Sequence, residues 1–500
     1  MTPSKSLHAP PKASAMIEAL RGLGYSTATA LADVIDNSIG ARADTVDILF
    51  YWDGAKSNIR VLDNGAGMDE GELNLAMRLG EKNPLDKRES HDLGRFGLGL
   101  KTASFSQCRR LSVASKKEFL PTSCLHWDLD VLAASTGDGW YLVEGAAPES
   151  EDLLNPLIPK THGTLVLWEK LDRIITYGFR EQDFLNLIDK VEQHLAMVFH
   201  RFLAGTAPKL SLNINGKKVE PWDPFLLGHT ATWSSPIQKI PGEGGTAIVQ
   251  CHVLPHKDRL TTKESEKIAG PNGWTSQQGF YVYHNQRLLV AGSWLGLGRG
   301  RSWTKEEAHR LARIRLDLPN TADADWKIDI RKSNARPPVS IRERLTLLAE
   351  DARERARRVF AHRGQPTRAA NGAPITQAWR SEHFKEGVRY RIDLDHPAVA
   401  TVLEKAAGLT TEVQAMLRIL EETIPVQRIW LDTTEAKEIP RTSFAGEPPA
   451  EILSVLTVVY KNMVYRKNMS PELARQQLLR TEPFHSFPEL VASLPNEPDA

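Results

Sequence analysis

Apolar and polar residues alternate with different periods along the chain, and these periods predict several folded domains. Between Met16 and Gly40 apolar residues recur every three or four positions, which predicts helical structure. Two strand-like runs follow at 45–52 and 58–65, and further strand patterns dominate from about 110 to 170. This order of helices and mostly antiparallel strands predicts the α+β class, with a first domain built as a two-layer α/β sandwich.

The remaining patterns predict two more folded regions, separated by a basic helix. Strand patterns return at about 208–335, after a helical stretch, and a linker containing Gly and Pro follows at 364–375. Helix and strand patterns are mixed in the final part. The predicted boundaries are a flexible leader at 1–14, the α/β sandwich at 15–180, a second α/β domain at 181–338, a basic helix with its linker at 339–375, and a mixed C-terminal domain at 376–500.

Composition narrows the class of protein without indicating a partner. The net charge is +1, so any attraction to nucleic acid must be local. The three cysteines are far apart and form no CxxC pair, which argues against a disulfide framework or a zinc site. No apolar run reaches the ~18 residues that a membrane-spanning helix needs. These features predict a cytoplasmic protein that has no membrane partner.

An acid and an amide on the predicted helix form the first candidate site. Asp33 and Asn37 lie four residues apart, so they share one helix face. Asp33 is a candidate catalytic base that accepts a proton from water. Asn37 is a candidate metal ligand, because its amide oxygen suits Mg²⁺. Taken alone, the pattern also fits an amphipathic helix with a solvated polar face.

A turn after the second strand forms the next candidate site, in the segment Asp63-Asn64-Gly65-Ala66-Gly67-Met68. Asp63 is a candidate acceptor for the amino group of an adenine, and Met68 closes the segment. Gly65 and Gly67 would let the backbone approach the base without a Cβ atom. Taken alone, an ordinary turn explains the same residues. Thr164 precedes a strand and is a candidate neighbour of the base, although a glycine turn into a buried strand explains it as well.

A glycine-rich stretch provides a candidate phosphate site. Gly94, Gly97 and Gly99 precede an apparent helix at 100–107, whose free N–H groups would face an anion. Lys101 would add a point charge near a phosphate. The stretch is neither a P-loop nor a dinucleotide-binding fingerprint, because the GK[ST] ending and the βαβ unit are missing.

Together, these four segments resemble the GHKL superfamily of ATPases, which includes gyrase B, MutL, MORC proteins, heat-shock chaperones and histidine kinases. The resemblance covers roughly 16–175 and implies a Bergerat-type fold that binds ATP and Mg²⁺. By position it places Asn37 on Mg²⁺. It places Asp63, Gly65, Gly67 and Thr164 around the adenine, and Gly97, Gly99 and Lys101 at the phosphate-binding end of a lid.

Asp33 departs from the pattern of this superfamily, whose hydrolytic members usually carry glutamate as the general base. Aspartate is one methylene shorter, which limits its reach to the attacking water. We therefore expect a low intrinsic turnover.

The second domain is similar to the transducer domains of MutL and MORC proteins. The segment GFYVYHNQRLLVAG at 279–292 resembles their strand pair, and the segment 325–333 resembles the loop whose lysine reaches the γ-phosphate. By that placement Lys332 is the candidate catalytic lysine and Lys327 the second choice. A solvated basic loop is the alternative.

A basic segment raises the question of DNA binding. Arg331–Arg368 contains eleven Lys or Arg residues and four Asp or Glu residues, a local charge of +7. Arginines on a helix there would contact phosphates without reading sequence. A solvated helix with Glu–Arg pairs is the alternative.

The resemblance to prokaryotic MORC- and MutL-like members implies a function. It is ATP hydrolysis that drives homodimerisation and clamp closure, acting on duplex DNA. It also implies a restriction-like or phage-defence context with helicase-like and nuclease partner proteins. Two alternatives stay open: a weakly hydrolysing switch or scaffold that recruits protein partners, and a chaperone-like ATPase.

Overall fold

The helical stretch predicted at 16–40 is two helices in the structure, Ala13–Arg21 and Thr27–Gly40. Ser26 begins the second helix, because its hydroxyl accepts the N–H of Thr29 while the Thr29 side chain accepts the N–H of Ser26. The computed structural model describes residues 11–81, 99–134, 139–205, 209–242, 244–322, 325–328, 335–361, 375–384, 387–429 and 449–496. The chain divides into two units, Met1–Gly364 and Gln365–Ala500.

The described strands of the first region form a mixed sheet in the order β5-β4-β3-β6-β2-β1-β7-β8. Only β1 and β7 pair in parallel in this sheet. The strands are β1 Thr45–Tyr51, β2 Asn58–Asp63, β3 Arg110–Lys116, β4 Ser123–Asp128, β5 Val143–Glu144, β6 Gly163–Glu169, β7 Ser211–Ile214 and β8 Lys217–Lys218. Helices pack on this sheet, so the predicted α+β sandwich is confirmed.

The helices of this region bury their apolar residues against the sheet. They are α1 Ala13–Arg21, α2 Thr27–Gly40, α3 Glu70–Met77, α4 Gly99–Phe105, α5 Leu129–Ala134, α6 Glu151–Leu154, α7 Glu181–Val198 and α8 His200–Ala204. In α2, Leu31, Val34 and Ile35 are buried in the same core as Val46 and Ile48 of β1. Burying each such side chain stabilises the fold by about 1.5–3 kcal/mol. This packing holds α2 rigidly over the strands.

The strands at 211–218 join the first sheet. The sequence patterns group them with the second α/β domain, but β7 pairs with β1 through Thr45↔Ser211 to Ile48↔Ile214. This pairing joins residues more than 160 positions apart, which no local pattern reveals. The chain therefore returns to the first sheet before it enters the second.

The second sheet has the strand order β10-β11-β14-β12-β13, and β9 pairs with β11. Its elements are β9 Trp233–Ser234, β10 Gln238–Gly242, β11 Gly245–Val253, α9 Thr262–Ala269, β12 Gly279–His284, β13 Arg287–Ser293, β14 Ala312–Leu318 and α10 Val339–Ala361. Helix α10 covers this sheet with a stripe of buried residues at helical spacing, Ile341, Leu345, Ala349, Ala352 and Ala356.

A tight turn joins β12 to β13. Asn285 and Gln286 have φ angles of 46° and 70°. Positive φ at both central residues is what a type I′ hairpin turn requires, and asparagine tolerates it well. The turn fixes the position of Arg287, the first residue of β13.

The C-terminal unit has its own core. Its elements are β15 Trp379–Phe384, β16 Gly387–Ile392, α11 Pro397–Lys405, α12 Thr410–Glu422, α13 Pro449–Lys461, α14 Pro471–Leu478 and α15 Pro488–Ala492. Leu456 and Tyr460 of α13 are buried with Leu478, Phe484 and Val491. Within the described ranges, no helix is both long and apolar enough to cross a membrane.

Candidate functional site

Helix α2 places Asp33 inside the protein. Asp33 is 4% exposed, and the hydroxyl of Tyr25 donates to its Oδ2 atom at 2.9 Å. Burial and the negative charge of Asp33 raise the pKa of Tyr25 well above its usual value, so the tyrosine stays a hydrogen-bond donor. The carboxylate of Asp33 is therefore held in a defined orientation.

Asn37 lies one turn after Asp33, as the spacing predicts, but it is exposed. Its Nδ2 atom donates to the backbone carbonyl of Asp33 at 3.0 Å. With the amide nitrogen used in this way, the amide oxygen is the atom that can act as a ligand. No group of three or more His, Cys, Asp or Glu in the described part of the chain could hold a metal ion. Mg²⁺ commonly binds through few protein ligands together with substrate phosphates, and Asn37 fits that role.

Asp63 ends strand β2 and is 6% exposed. The hydroxyl of Ser38 donates to its Oδ2 atom at 2.8 Å, and the N–H of Gly65 donates to its Oδ1 atom at 2.9 Å. Burial raises the pKa of the Asp63 carboxyl, while these hydrogen bonds act in the opposite direction. The structure thus contains a buried, oriented carboxylate next to the glycine turn.

Thr164 lies directly opposite Asp63 in the pairing of β2 with β6. Its hydroxyl shares a hydrogen bond of 2.8 Å with the hydroxyl of Ser115, which also accepts the N–H of Met68 at 2.8 Å. The ring of His162 donates from Nδ1 to the carbonyl of Gly65 at 2.7 Å. Four predicted residues, Asp63, Gly65, Met68 and Thr164, are therefore brought together through residues that the sequence patterns did not single out: Ser38, Ser115 and His162.

Gly67 has a backbone conformation that favours glycine. Its φ angle is 69°, and a Cβ atom built on it would lie far inside van der Waals contact of the Lys116 carbonyl. The obstacle is backbone, which cannot rotate away as a side chain can. The close approach of the turn to β3 therefore depends on glycine at this position.

We expect Gly67→Ala to destabilise the protein more than Gly54→Ala does. Gly54 also has a positive φ, 50°, but a Cβ there would meet nothing within 4 Å. The strain of a left-handed residue costs roughly 1–2 kcal/mol in both variants, and the clash adds about 1–3 kcal/mol in Gly67→Ala alone. Urea unfolding measures both free energies. Equal losses would show that the Lys116 carbonyl moves aside freely.

The predicted phosphate end is only partly described. Gly99 begins α4, and a Cβ atom built on it would lie 3.9 Å from Oδ2 of Asp33, so the start of this helix is beside the candidate base. Lys101 is buried, and its Nζ atom donates to the carbonyl of Ala76 in α3 at 2.8 Å. Gly94 and Gly97 lie outside the described residues.

Of the two candidate lysines of the second domain, only Lys327 lies within the described residues. Lys332 lies outside the described residues. Lys327 is exposed and has a φ angle of 50°, next to the buried Trp326. The role of either lysine stays a prediction.

Arg287 reaches this site from the second sheet. It is 4% exposed, its Nε atom donates to Oδ1 of Asp36 at 2.7 Å, and its Nη2 atom donates to Oδ1 of Asp33 at 3.4 Å. This arginine lies in the segment 279–292 that resembles a transducer strand pair, and the sequence alone predicted no role for it. Its local signal is the Asn-x-Arg-Leu pattern at 285–288, which resembles that of transducer strand pairs.

Several arginines of the basic helix α10 contact protein groups. The guanidinium of Arg353 lies over the rings of Trp294 and Trp303, with centroid distances of 4.8 and 4.6 Å. Arg355 lies 4.0 Å from the ring centroid of Trp233, and Arg358 pairs with Glu354 at 3.2 Å. These contacts match part of the alternative in which the helix carries Glu–Arg pairs, and they leave DNA binding a prediction.

Comparisons with known proteins bear on this site. A family model described as histidine kinase-, DNA gyrase B-, and HSP90-like ATPase matches residues 25–164. That segment contains Asp33, Asn37, Asp63 and Thr164.

Three curated relatives are also similar to this chain. The DNA mismatch repair protein MutL of Rhodospirillum rubrum is 35% identical over 124 residues, 24% of this chain and 17% of that protein. The MutL protein of Shewanella woodyi is 27% identical over 201 residues, 39% of this chain and 29% of that protein. The MutL protein of Shewanella halifaxensis is 26% identical over 275 residues, 52% of this chain and 38% of that protein. The matches span less than half of each relative.

Proposed function

We propose that this chain is an ATPase of the GHKL type that binds ATP with Mg²⁺ and hydrolyses it to close a clamp made of two copies. Residues 25–164 match the family model of such ATPases, and the chain is similar to MutL proteins. The observation that carries the proposal is the buried carboxylate of Asp63. Ser38 and Gly65 orient it, and it lies opposite Thr164 within the matched segment. A carboxylate in that setting is a strong acceptor for the amino group of adenine.

The residues around Asp33 suit the hydrolysis step. In our proposal Asp33 accepts a proton from the water that attacks the γ-phosphorus, and the bond to the β-phosphate oxygen breaks. The hydroxyl of Tyr25 donates to Oδ2 of Asp33 and orients the carboxylate in this role. Asn37 would hold Mg²⁺, which neutralises the charge of the phosphates. Gly97, Gly99 and Lys101 would complete the phosphate end.

The names of the relatives and the charge of one basic segment support the proposed clamp and its DNA target. The relatives are named as DNA mismatch repair proteins, and the local charge of +7 at Arg331–Arg368 suits the phosphates of duplex DNA. Lys332, or else Lys327, would sense the γ-phosphate and make closure depend on it. The restriction-like or phage-defence context, with helicase-like and nuclease partners, rests on the family resemblance.

A second candidate function is a nucleotide-responsive switch that hydrolyses ATP very slowly and recruits a protein. The observation that favours it is Asp33, which is shorter than the usual glutamate and already engaged by Tyr25 and Arg287. A chaperone-like ATPase is the third candidate, and a lack of stimulation by DNA would favour it over the clamp.

We expect steady-state ATP hydrolysis by the purified chain to rise with duplex DNA and to disappear in Asn37→Ala. Loss of the amide oxygen removes the only protein ligand that we assign to Mg²⁺, and a phosphoryl-transfer site depends on that ion to neutralise charge. The measurement is phosphate release at saturating ATP, with and without DNA. ATP binding without turnover that depends on Asn37 would favour the switch.

A further inference from the structure

Arg287 joins the second sheet to helix α2 across more than 250 positions of sequence. It is the first residue of β13 and follows the type I′ turn at 285–286. The backbone conformation of this turn and the strand pairing of β12 with β13 determine where the side chain starts. The side chain is long enough to cross from this hairpin to the carboxylates of α2.

The contacts of Arg287 are directed at one turn of α2. Its Nε atom donates to Asp36 at 2.7 Å and its Nη2 atom to Asp33 at 3.4 Å, while Nη1 donates to the carbonyl of Leu288 at 3.3 Å. The ring of Phe199 lies 5.9 Å from the centre of the guanidinium. All three nitrogens are therefore used, so the guanidinium plane has a defined orientation.

The charges explain why this contact matters. Asp33 and Asp36 are 4% and 3% exposed, and they lie within one turn of the same helix. Two buried carboxylates repel each other and need a cation or other donors to compensate their lost hydration. Burial and the charge of Arg287 lower the pKa of His194 to about 4, so this ring adds no positive charge near Arg287 at neutral pH.

We propose that Arg287 is a positioning residue through which the second α/β domain sets the position of Asp33 for hydrolysis. This inference rests on the proposed ATPase function. Arg287 touches Asp33 rather than the nucleotide, so it acts through the base. The turn at 285–286 holds the arginine, the arginine holds the two carboxylates, and Asp33 thereby stays where it can reach the attacking water.

Coupling between the domains follows from this arrangement. Any movement of the β12–β13 hairpin relative to α2 stretches the contacts to Asp36 and Asp33. A carboxylate that loses its positioning partner rotates, and its distance to the water changes. The position of the second domain would in this way control turnover without changing the residues that bind adenine.

The test uses the full chain with the variants Arg287→Ala and Arg287→Lys. We expect Arg287→Ala to lower kcat by about 10- to 100-fold, since a small misplacement of a catalytic group has effects of that size. KM for ATP should stay within about threefold, because the adenine contacts at Asp63 are untouched. Arg287→Lys keeps the charge and should recover part of kcat. Thermal unfolding of each variant checks that it is folded.

A matched control separates positioning from general contact between the domains. Arg201 of α8 stacks on Tyr283 of the same hairpin, 3.3 Å from the ring centroid, and pairs with Asp317. Arg201→Ala should leave kcat within about threefold. In the double variant Asp33→Asn with Arg287→Ala, the loss should equal that of Asp33→Asn alone, because Arg287 acts through Asp33. Equal losses in the two arginine variants, an unchanged kcat in Arg287→Ala, or additive losses in the double variant would overturn the inference.

Hydrogen exchange keeps the inference testable if the wild type shows no turnover. Faster amide exchange of α2 at 27–40 in Arg287→Ala, with Arg201→Ala like the wild type, would support the positioning contact while the proposed hydrolysis is wrong. Unchanged exchange of α2 in Arg287→Ala would overturn the positioning contact as well.

Discussion

Asp33→Asn is expected to reduce the rate of ATP hydrolysis by about 10²- to 10⁴-fold, the usual contribution of a general base. Asparagine has nearly the shape of aspartate and can keep the hydrogen bond from Tyr25, but it cannot accept a proton from water. The single-turnover rate, with enzyme in excess over ATP, isolates the chemical step from product release. ATP affinity should change little, because the adenine end that we propose lies at Asp63 and Thr164.

A longer side chain at the same position provides the control. Asp33→Glu restores the residue that hydrolytic relatives usually carry, and we expect it to turn over at least as fast as the wild type. Slower turnover in Asp33→Glu would contradict our expectation that the short aspartate limits the rate. A rate in Asp33→Asn within about threefold of the wild type would remove Asp33 from the role of base.

The second large effect is expected at the adenine end, where Asp63→Asn should weaken ATP binding by about 10- to 150-fold. This corresponds to the roughly 1.5–3 kcal/mol that a hydrogen bond to a charged group contributes. Gly65 and Ser38 each donate a hydrogen bond to one carboxylate oxygen. In asparagine an NH2 group replaces one of these accepting oxygens, so two donors would face each other there. Equilibrium titration with ATP measures the Kd.

Asp44→Asn is the matched control for this prediction. Asp44 is an exposed acid whose Oδ1 atom accepts hydrogen bonds from Asn64 and Thr45, and it makes no contact with Asp63 that would orient the carboxylate. Its replacement should leave the Kd unchanged. A Kd in Asp63→Asn equal to that of the wild type would mean that Asp63 does not bind the base.

The raised pKa of the Asp63 carboxyl bears on the stability of Asp63→Asn, so a loss of ATP binding in this variant can be told apart from unfolding. Because burial raises the pKa in the folded protein, the ionised carboxylate is less favourable there than in the unfolded chain. Asp63 therefore reduces stability as pH rises from its ordinary pKa through the raised one. Asparagine removes this cost but loses one of the hydrogen bonds from Ser38 and Gly65. These effects oppose each other, so at neutral pH we expect no large fall in the melting temperature of Asp63→Asn.

Local sequence patterns were sufficient wherever a property depends on neighbouring residues. The apolar residues of α2 face the core at the predicted spacing, and the turn after β2 places Asp63 at a strand end. Gly67 follows the same rule, because a left-handed turn residue is encoded at its own position. The α+β class and the ATP-binding character of the first domain could therefore be predicted from the chain alone.

The positions of side chains relative to one another needed the folded structure. The sequence places Lys101 two residues after Gly99, but only the folded structure shows that its Nζ atom donates to the Ala76 carbonyl. Ser115 of β3 and His162, which precedes β6, support the turn from positions far away in sequence. Long-range partners depend on how the chain closes on itself, and a single sequence carries no periodic signal of that closure.

By itself, then, the sequence determined most helices and strands, the glycine turn and the order of the candidate ATP-binding segments, because these follow from short-range sterics and apolar periodicity. Only the tertiary structure decided that β7 joins the first sheet and that Arg287 crosses to Asp36 and Asp33. Both contacts are between residues more than 160 positions apart. They form because burial in a shared core brings those residues together.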